Sequence, residues 1–201
     1  MSVLIVPYSS PRVITASLAF GPGTLSGTTT KTSSNGQAIF DDLVIEGTTG
    51  PYALIFSSEP LAATQSDVFE LQAGNPSVLS VEAGNNQSAV VGNAVAIAPS
   101  ARVVDAWSNP VSGITVDFAV TAGGGSVAPA SAVTNASGIA TVSSWTLGTV
   151  AGANTLQASC ASLSGQSITW SATAMAGAPT QLRVVTGDGQ TAAAGTAVPV
   201  A

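Results

Sequence analysis

The stretch "GITVDFAV", residues 113–120, decides the fold class because its apolar and polar residues alternate. Side chains along an extended strand point to opposite faces in turn, so Ile114, Val116, Phe118 and Val120 would share one face. Such a pattern predicts a β-strand with one packed face and one face in water.

The same alternation recurs in other short segments, including "NTLQASC" at 154–160 and "QSITWSATA" at 166–174. Gly, Pro, Asn and Ser interrupt it at short intervals, and apolar residues with helical spacing are almost absent. The sequence therefore predicts an all-β protein built from short antiparallel strands.

The composition excludes two classes of function. Only 7% of the 201 residues are charged, and four basic against ten acidic residues give a net charge of −6, which would repel a phosphate backbone. Apolar residues make up 45% of the chain, but no apolar run approaches the roughly 18 to 20 residues that cross a bilayer. We predict neither nucleic-acid binding nor a membrane span.

An internal repeat organises the second half of the chain. Residues 75–98 align without gaps to residues 178–201 at an offset of 103 positions. Ten of the aligned positions are identical: Pro76/Pro179, Leu79/Leu182, Val81/Val184, Gly84/Gly187, Gln87/Gln190, Ala89/Ala192, Gly92/Gly195, Ala94/Ala197, Val95/Val198 and Ala98/Ala201. The tail is thus interpreted as the beginning of another repeat.

A weaker echo at an offset of 102 links the first part of the chain to the middle. It pairs Gly50 with Gly152, Leu54 with Leu156 and Leu43 with Trp145, and a slip of one residue pairs Phe69 with Trp170. We therefore predict three units. They are an incomplete sandwich at 1–74 that lacks its first strands, a complete sandwich at 75–177, and the opening strands of a further repeat at 178–201.

Two stretches carry a resemblance to a known family: "VVDAWSNPVSGITVDFAVTAGGGSV" at 103–127 and "TNASGIATVSSWTLGTVAGANTLQAS" at 134–159. Both resemble the bacterial immunoglobulin-like repeats of the invasin and intimin type, which occur in tandem in surface adhesins and other extracellular proteins. The most specific pieces are Asp105 with Asn109-Pro110-Val111, and Trp145 with the glycines around it. The resemblance implies tandem immunoglobulin-like sandwiches at a bacterial cell surface or outside the cell.

Residues that carry chemistry are scarce, so we predict no enzyme and no catalytic or cofactor-binding residues. The chain has no histidine, which removes the commonest general base. The "GGGS" at 123–126 lacks the Lys of a phosphate loop and favours a hairpin. Asp41 and Asp42 would point to opposite faces of a strand, and the single Cys160 favours a small buried side chain.

Two weaker binding hypotheses stay open. Calcium at the joints between units would use oxygen ligands, and Asp67, Glu70, Glu82 and Asp188 fall near predicted boundaries, but their spacing resembles no calcium loop. We therefore assign no metal-ligating residues. Trp107 could contact a sugar or a protein from a loop, although an aromatic folded back on the core is the commoner outcome.

The missing strands of the first unit and the surplus strands of the tail suggest strand donation between subunits. The donor residues would be Leu182, Val184, Val198 and Val200, and Val3 and Ile5 would continue the nicked strand on the acceptor side. The contact joins two different surfaces, so it would propagate into a head-to-tail homopolymer. The predicted function is a structural subunit of an extracellular filament or surface fibre.

Alternatives remain at this stage. The chain could be a fragment of the stalk of a long bacterial surface adhesin, with a host or neighbouring-cell surface as partner. A phage or virion appendage and a carbohydrate-binding immunoglobulin-like module are the further possibilities.

Overall fold

The computed structural model describes residues 10–186 and 189–198, together with the backbone of residues 2–5. The first group of strands is β1 (Ser2–Ile5), β2 (Val13–Phe20), β3 (Gly23–Ser26), β4 (Thr30–Thr32), β5 (Gln37–Phe40), β6 (Val44–Gly47), β7 (Gly50–Ser58), β8 (Leu61–Gln65) and β9 (Phe69–Leu71). The second group is β10 (Val78–Ala83), β11 (Gln87–Val90), β12 (Ser100–Val104), β13 (Thr115–Ala122), β14 (Gly125–Ala128), β15 (Ser131–Val133), β16 (Ile139–Thr141), β17 (Ser144–Leu147), β18 (Gly152–Ser159) and β19 (Ser167–Met175). A short 3-10 turn, Ala161–Leu163, precedes β19.

The two groups form two β-sandwiches in series, here called the first and the second sandwich. The first contains the order β4-β2-β7-β8, with β9 also on β7, and the pairs β1-β5 and β3-β6. The second contains β11-β19-β18-β13-β15, β10-β12-β16 and β14-β17. All of these pairs are antiparallel except β11 with β19. The predicted fold class, tandem antiparallel immunoglobulin-like sandwiches of which the first is incomplete, is confirmed.

The strand that decided the fold class behaves as its alternation predicted. Most of it lies in β13, in which Val116 and Phe118 are 0% and 3% exposed. Val120, and Ile114 just before the strand, pack partly buried against the same core. Asp117 lies on the exposed face. The pleat of the strand, with a period of two residues, produces this separation.

The two cores differ greatly in size. Eighteen buried apolar residues form the core of the second sandwich, among them Trp145, Trp170 and Cys160. Among the described side chains, which do not include those of β1, six form the core of the first: Ile14, Ala16, Ala38, Phe40, Leu54 and Phe56. Since burial of apolar surface is the main stabilising term in folding, the described side chains of the first sandwich contribute less of this term than those of the second.

The strand register shows which residue pairs of the weaker repeat, at an offset of 102, were aligned correctly. Leu54 faces Leu18 across β7 and β2, just as Leu156 faces Val120 across β18 and β13, so this pair of positions corresponds as expected. Other pairs of the echo were displaced.

The expected match of Leu43 to Trp145 was wrong. Trp145 faces Val127, and Ile45 faces Leu25, so Ile45 is the counterpart of Trp145. The first sandwich spans 45 − 25 = 20 positions where the second spans 145 − 127 = 18, an insertion that a gapless alignment misses.

The counterpart of Phe69 is Ala172, and the expected match to Trp170 was also wrong. Phe69 faces Tyr52 across β9 and β7, in the same way as Ala172 faces Asn154 across β19 and β18. Small differences in loop length between the repeats account for the shift.

Two strands of the second sandwich have no counterpart among the described strands of the first. Leu4 of β1 faces Ala38, as Ala101 of β12 faces Ala140, so β1 corresponds to β12. Among the described residues, no strand of the first sandwich corresponds to β10 or β11. Residues 178–186 and 189–198 of the tail form no strand either, because a strand needs a neighbour to pair its backbone groups.

Candidate functional site

In the second sandwich, residues 87–95 seal one side of the core. They begin as β11, which runs parallel to β19 in the register Gln87 to Ala172 and Val90 to Met175. After a turn, the backbone N–H of Val95 donates to the carbonyl oxygen of Trp145 at 2.9 Å, and the Val95 side chain is 8% exposed. One short segment thus pairs with β19 at one end and with β17 at the other.

The corresponding place in the first sandwich is an open groove of about 310 Å³. Its lining is mostly apolar: Phe40, Asp41, Leu43, Ile45, Leu54, Phe69 and Leu71. Within the described part of the chain, β9 pairs only with β7 and β6 only with β3, so both edges that residues 87–95 occupy in the second sandwich are free here. We call this feature the acceptor groove.

The side chains of the acceptor groove differ from their counterparts. Phe69 stands in place of Ala172, and Ile45 in place of the fully buried Trp145. Phe69 is 37% exposed and stacks on Tyr52 with 6.4 Å between ring centroids. Tyr52 is fully buried, and its hydroxyl donates to the carbonyl oxygen of Thr48 at 2.8 Å. An apolar surface of this kind gains free energy when it is covered.

The tail presents the apolar residues that the sequence assigned as donors. Leu182 is 103% exposed, Val184 68% and Val198 55%, and Val200 lies outside the described residues. These are the positions at which Leu79 and Val95 of the second sandwich are buried.

The tail also retains the turn of its repeat. The N–H of Thr196 donates to the carbonyl oxygen of Ala193 at 3.1 Å, as the N–H of Asn93 donates to Val90 at 3.0 Å. Gly195 and Gly92 both have positive φ, 84° and 74°, a conformation that glycine adopts without strain. The tail therefore carries the bend that residues 87–95 use to reach both sheets.

The second predicted acceptor element is β1. The backbones of Val3 and Ile5 pair with Ile39 and Gln37, and the side chains of both residues lie outside the described set. In the second sandwich the outer edge of β12 carries β10, whereas among the described residues β1 pairs only with β5. This edge of β12 is where Leu79 and Val81, the repeat counterparts of Leu182 and Val184, face Val103 and Ala101.

A polar cluster joins the two sandwiches on another side. Asp105, which is 2% exposed, accepts hydrogen bonds from the N–H groups of Gly74, Trp107 and Asn109 at 2.8, 2.9 and 2.9 Å. Asn109 Nδ2 donates to Asp105 and also to the carbonyl oxygen of Gly47 in the first sandwich, both at 2.9 Å. Burial raises the pKa of Asp105, but the hydrogen bonds from Asn109, Gly74 and Trp107 outweigh it and leave the pKa below its usual value.

The sequence singled out Asp105 and Asn109-Pro110-Val111 for the family resemblance and gave no sign of this contact with the first sandwich. The partners of Asn109 in the first sandwich, Thr49 and Gly47, lie 60 or more positions away in sequence, so no local pattern reveals them. The near-complete burial of two polar residues, Asp105 and Asn109, is the feature that points to this contact, and it is visible only in the structure.

The weaker binding hypotheses gain no support from the described residues. These contain no group of three or more His, Cys, Asp or Glu placed to hold a metal ion, and Asp188 is not among them. A carboxylate oxygen of Glu82 lies 3.7 Å from a guanidinium nitrogen of Arg102. Trp107 is 43% exposed and lies beside Gly74 in the linker, so it neither folds into a core nor stands free.

The two adjacent aspartates have separate partners. A carboxylate oxygen of Asp41 lies 3.2 Å from Lys31 Nζ. Asp42 accepts hydrogen bonds from the hydroxyl and the backbone N–H of Thr28, and these hydrogen bonds lower the pKa of Asp42. Their carboxylates therefore do not act as a pair. Among the described residues, no helix is long and apolar enough to cross a membrane.

No family model and no curated protein matches the chain. Solved structures with a similar fold include the D00-D0 domain of intimin (14% identity, TM-score 0.42, covering 87% of this chain and 100% of that one). The Escherichia coli adhesin FdeC is also similar (17% identity, TM-score 0.47, covering 85% of this chain and 63% of that one). A glycosyl hydrolase family 2 member from Bacteroides cellulosilyticus is similar as well (12% identity, TM-score 0.39, covering 80% and 21%). The intimin domains are of the repeat type that the sequence motifs resemble, while the fold assignment itself rests on the strand pairing.

Proposed function

We propose that this chain is a non-enzymatic structural subunit of an extracellular filament or surface fibre, assembled by strand donation between copies. One observation carries the proposal. The acceptor groove of the first sandwich corresponds to the place that residues 87–95 fill in the second, and the exposed tail repeats the sequence of that segment. The occupant of the groove is therefore residues 178–201 of a second copy.

Covering the groove gives favourable free energy from two sources. Apolar side chains such as Leu182 and Val198 leave water, and each fully buried Leu or Val contributes about 1.5 to 3 kcal/mol. The free backbone groups of β9 and β1 gain hydrogen-bond partners, as they do when a peptide adds a strand to an exposed sheet edge. Donor and acceptor are different surfaces, so repetition of the contact gives an open polymer.

A second candidate is a stretch of the stalk of a bacterial surface adhesin. In a longer array of repeats the same polypeptide would fill the groove, and the cluster of Asp105 and Asn109 would hold successive sandwiches in line. A host or neighbouring-cell surface would then be the partner. This second candidate shares the fold and the extracellular location with the first but needs no contact between copies.

Electron microscopy and size-exclusion chromatography separate the two candidates. We expect regular filaments from the full chain and none from a chain truncated after Gly177. Leu71→Asp, which places a charge in the groove, should also abolish filaments. Val68→Asp is the control, because Val68 is 57% exposed and does not line the groove. If the full chain and all variants stay monomeric, strand donation is refuted and the stalk remains.

A further inference from the structure

We infer that the donated segment enters the acceptor groove parallel to β9 and in one register, which rests on the proposed strand donation. In this register Gln190 faces Phe69, Thr191 faces Glu70, Ala192 faces Leu71 and Ala193 faces Gln72. Each of these four positions on the acceptor side is thereby assigned one facing residue of the donated segment.

The register follows from two correspondences. Phe69 and Leu71 face Tyr52 and Gly50, as Ala172 and Ala174 face Asn154 and Gly152, so β9 corresponds to the last part of β19. The tail corresponds to residues 75–98 at an offset of 103. The observed pairs of β11 with β19, such as Gln87 to Ala172 and Ala89 to Ala174, then transfer directly to the tail and β9.

The same template fixes which side chains point into the groove. Ala89 and Val91 pack partly buried against the core, whereas Ser88 and Val90 are exposed. Ala192 and Ala194 should therefore point inward, and Thr191 and Ala193 outward. Glu70 and Gln72 are also exposed, so the outward residues of both strands would lie side by side in water.

The turn at Gly195 restricts the register further. In the second sandwich the equivalent turn lies between the contact with β19 and the hydrogen bond from Val95 to Trp145. Val198 would make that bond to Ile45, the counterpart of Trp145. A slip of one residue would exchange the inward and outward faces, and a slip of two would break the contact of Val198 with β6.

Two substitutions in the full chain test the orientation of the side chains. Ala192→Asp would place a carboxylate inside the groove, and we expect the concentration needed for polymerisation to rise more than about a hundredfold. Ala193→Asp, the control at the next residue, should change it less than about threefold. The reverse pattern, or equal effects, would overturn the inferred register.

Cysteine cross-linking tests the register independently. In the full chain, Glu70→Cys combined with Thr191→Cys places two cysteines on facing positions, at the roughly 4.8 Å strand spacing that a disulfide can bridge. Oxidised polymers should give a covalent ladder in non-reducing gels. Gln72→Cys with Thr191→Cys is the off-register control, and Cys160 is 3% exposed and common to both.

The outcomes separate the inference from the function on which it rests. A ladder from the facing pair and little from the off-register pair supports the register. Polymers with equal or stronger cross-linking in the off-register pair overturn the register and leave strand donation standing. If the unmodified chain forms no polymers, the proposed function fails, and the register fails with it.

Discussion

Asn109 of the second sandwich accepts a hydrogen bond from the backbone N–H of Thr49 in the first sandwich, at 2.9 Å and across 60 positions of sequence. The other end of its side-chain amide donates to Gly47 of the same turn and to the carboxylate of Asp105. Because Asp105 also binds the linker at Gly74, three parts of the chain meet at one buried polar cluster. This cluster connects the first sandwich, the linker and the second sandwich through hydrogen bonds.

Asn109→Ala should loosen this connection while both sandwiches stay folded. The substitution removes the two hydrogen bonds to the turn at Gly47 and Thr49, and small-angle scattering should show a wider spread of shapes. Asn135→Ala is a suitable control, because the side chain of Asn135 also holds a turn but accepts its hydrogen bonds from Ser137 and Ile139 within the second sandwich. An unchanged scattering profile for Asn109→Ala would contradict the role of the cluster.

Asp105→Ala should lower the free energy of unfolding by about 3 kcal/mol, because it leaves several buried N–H groups without their charged acceptor. Chemical denaturation followed by tryptophan fluorescence measures the change. Asp117→Ala, on the exposed face of β13, should have little effect. Equal losses in the two variants would show that Asp105 has no special role.

Low pH should weaken the contact between the two sandwiches, because Asp105 becomes protonated. The pKa of Asp105 in the folded chain lies below its ordinary value of 3.8, so its ionised form favours folding. That contribution is present above pH 3.8 and is lost as the pH falls through the lower folded pKa. The stability of Asp105→Asn should depend less on pH in this range than that of the parent, and parallel curves would argue against it.

Trp170→Phe should destabilise the second sandwich by about 2 kcal/mol. Trp170 is fully buried, and its indole N–H donates to the carbonyl oxygen of Ala83 at 2.7 Å, which anchors the end of β10. Trp107→Phe, at a position that is 43% exposed, serves as the control in thermal unfolding. A similar shift in the two variants would show that the anchor contributes little.

Alternation was enough to predict three strands of the second sandwich and which of their faces is buried. Val116 and Phe118 are buried where the pattern placed them, because a strand with one wet face separates its side chains by position alone. The repeat likewise located the tail as a copy of residues 75–98. These are local or self-similar features that one sequence contains.

Contacts between residues that are far apart in the chain could not be predicted from the sequence. The register of β6 depends on an insertion that displaces Ile45 by two positions, and the joint depends on Asn109 meeting a turn 60 positions away. The acceptor groove was expected as a consequence of missing strands, but its lining by Phe69 and Leu71 required the strand pairing.

Binding of the tail as a separate peptide tests strand donation most directly. A peptide of residues 178–201 would be added to the chain truncated after Gly177 and followed by NMR. Strand donation predicts saturation at about one peptide per chain, shifts of the amide signals of Phe69, Leu71 and Ile45, and a higher unfolding temperature for the first sandwich. No binding, or shifts confined to the second sandwich, would contradict strand donation.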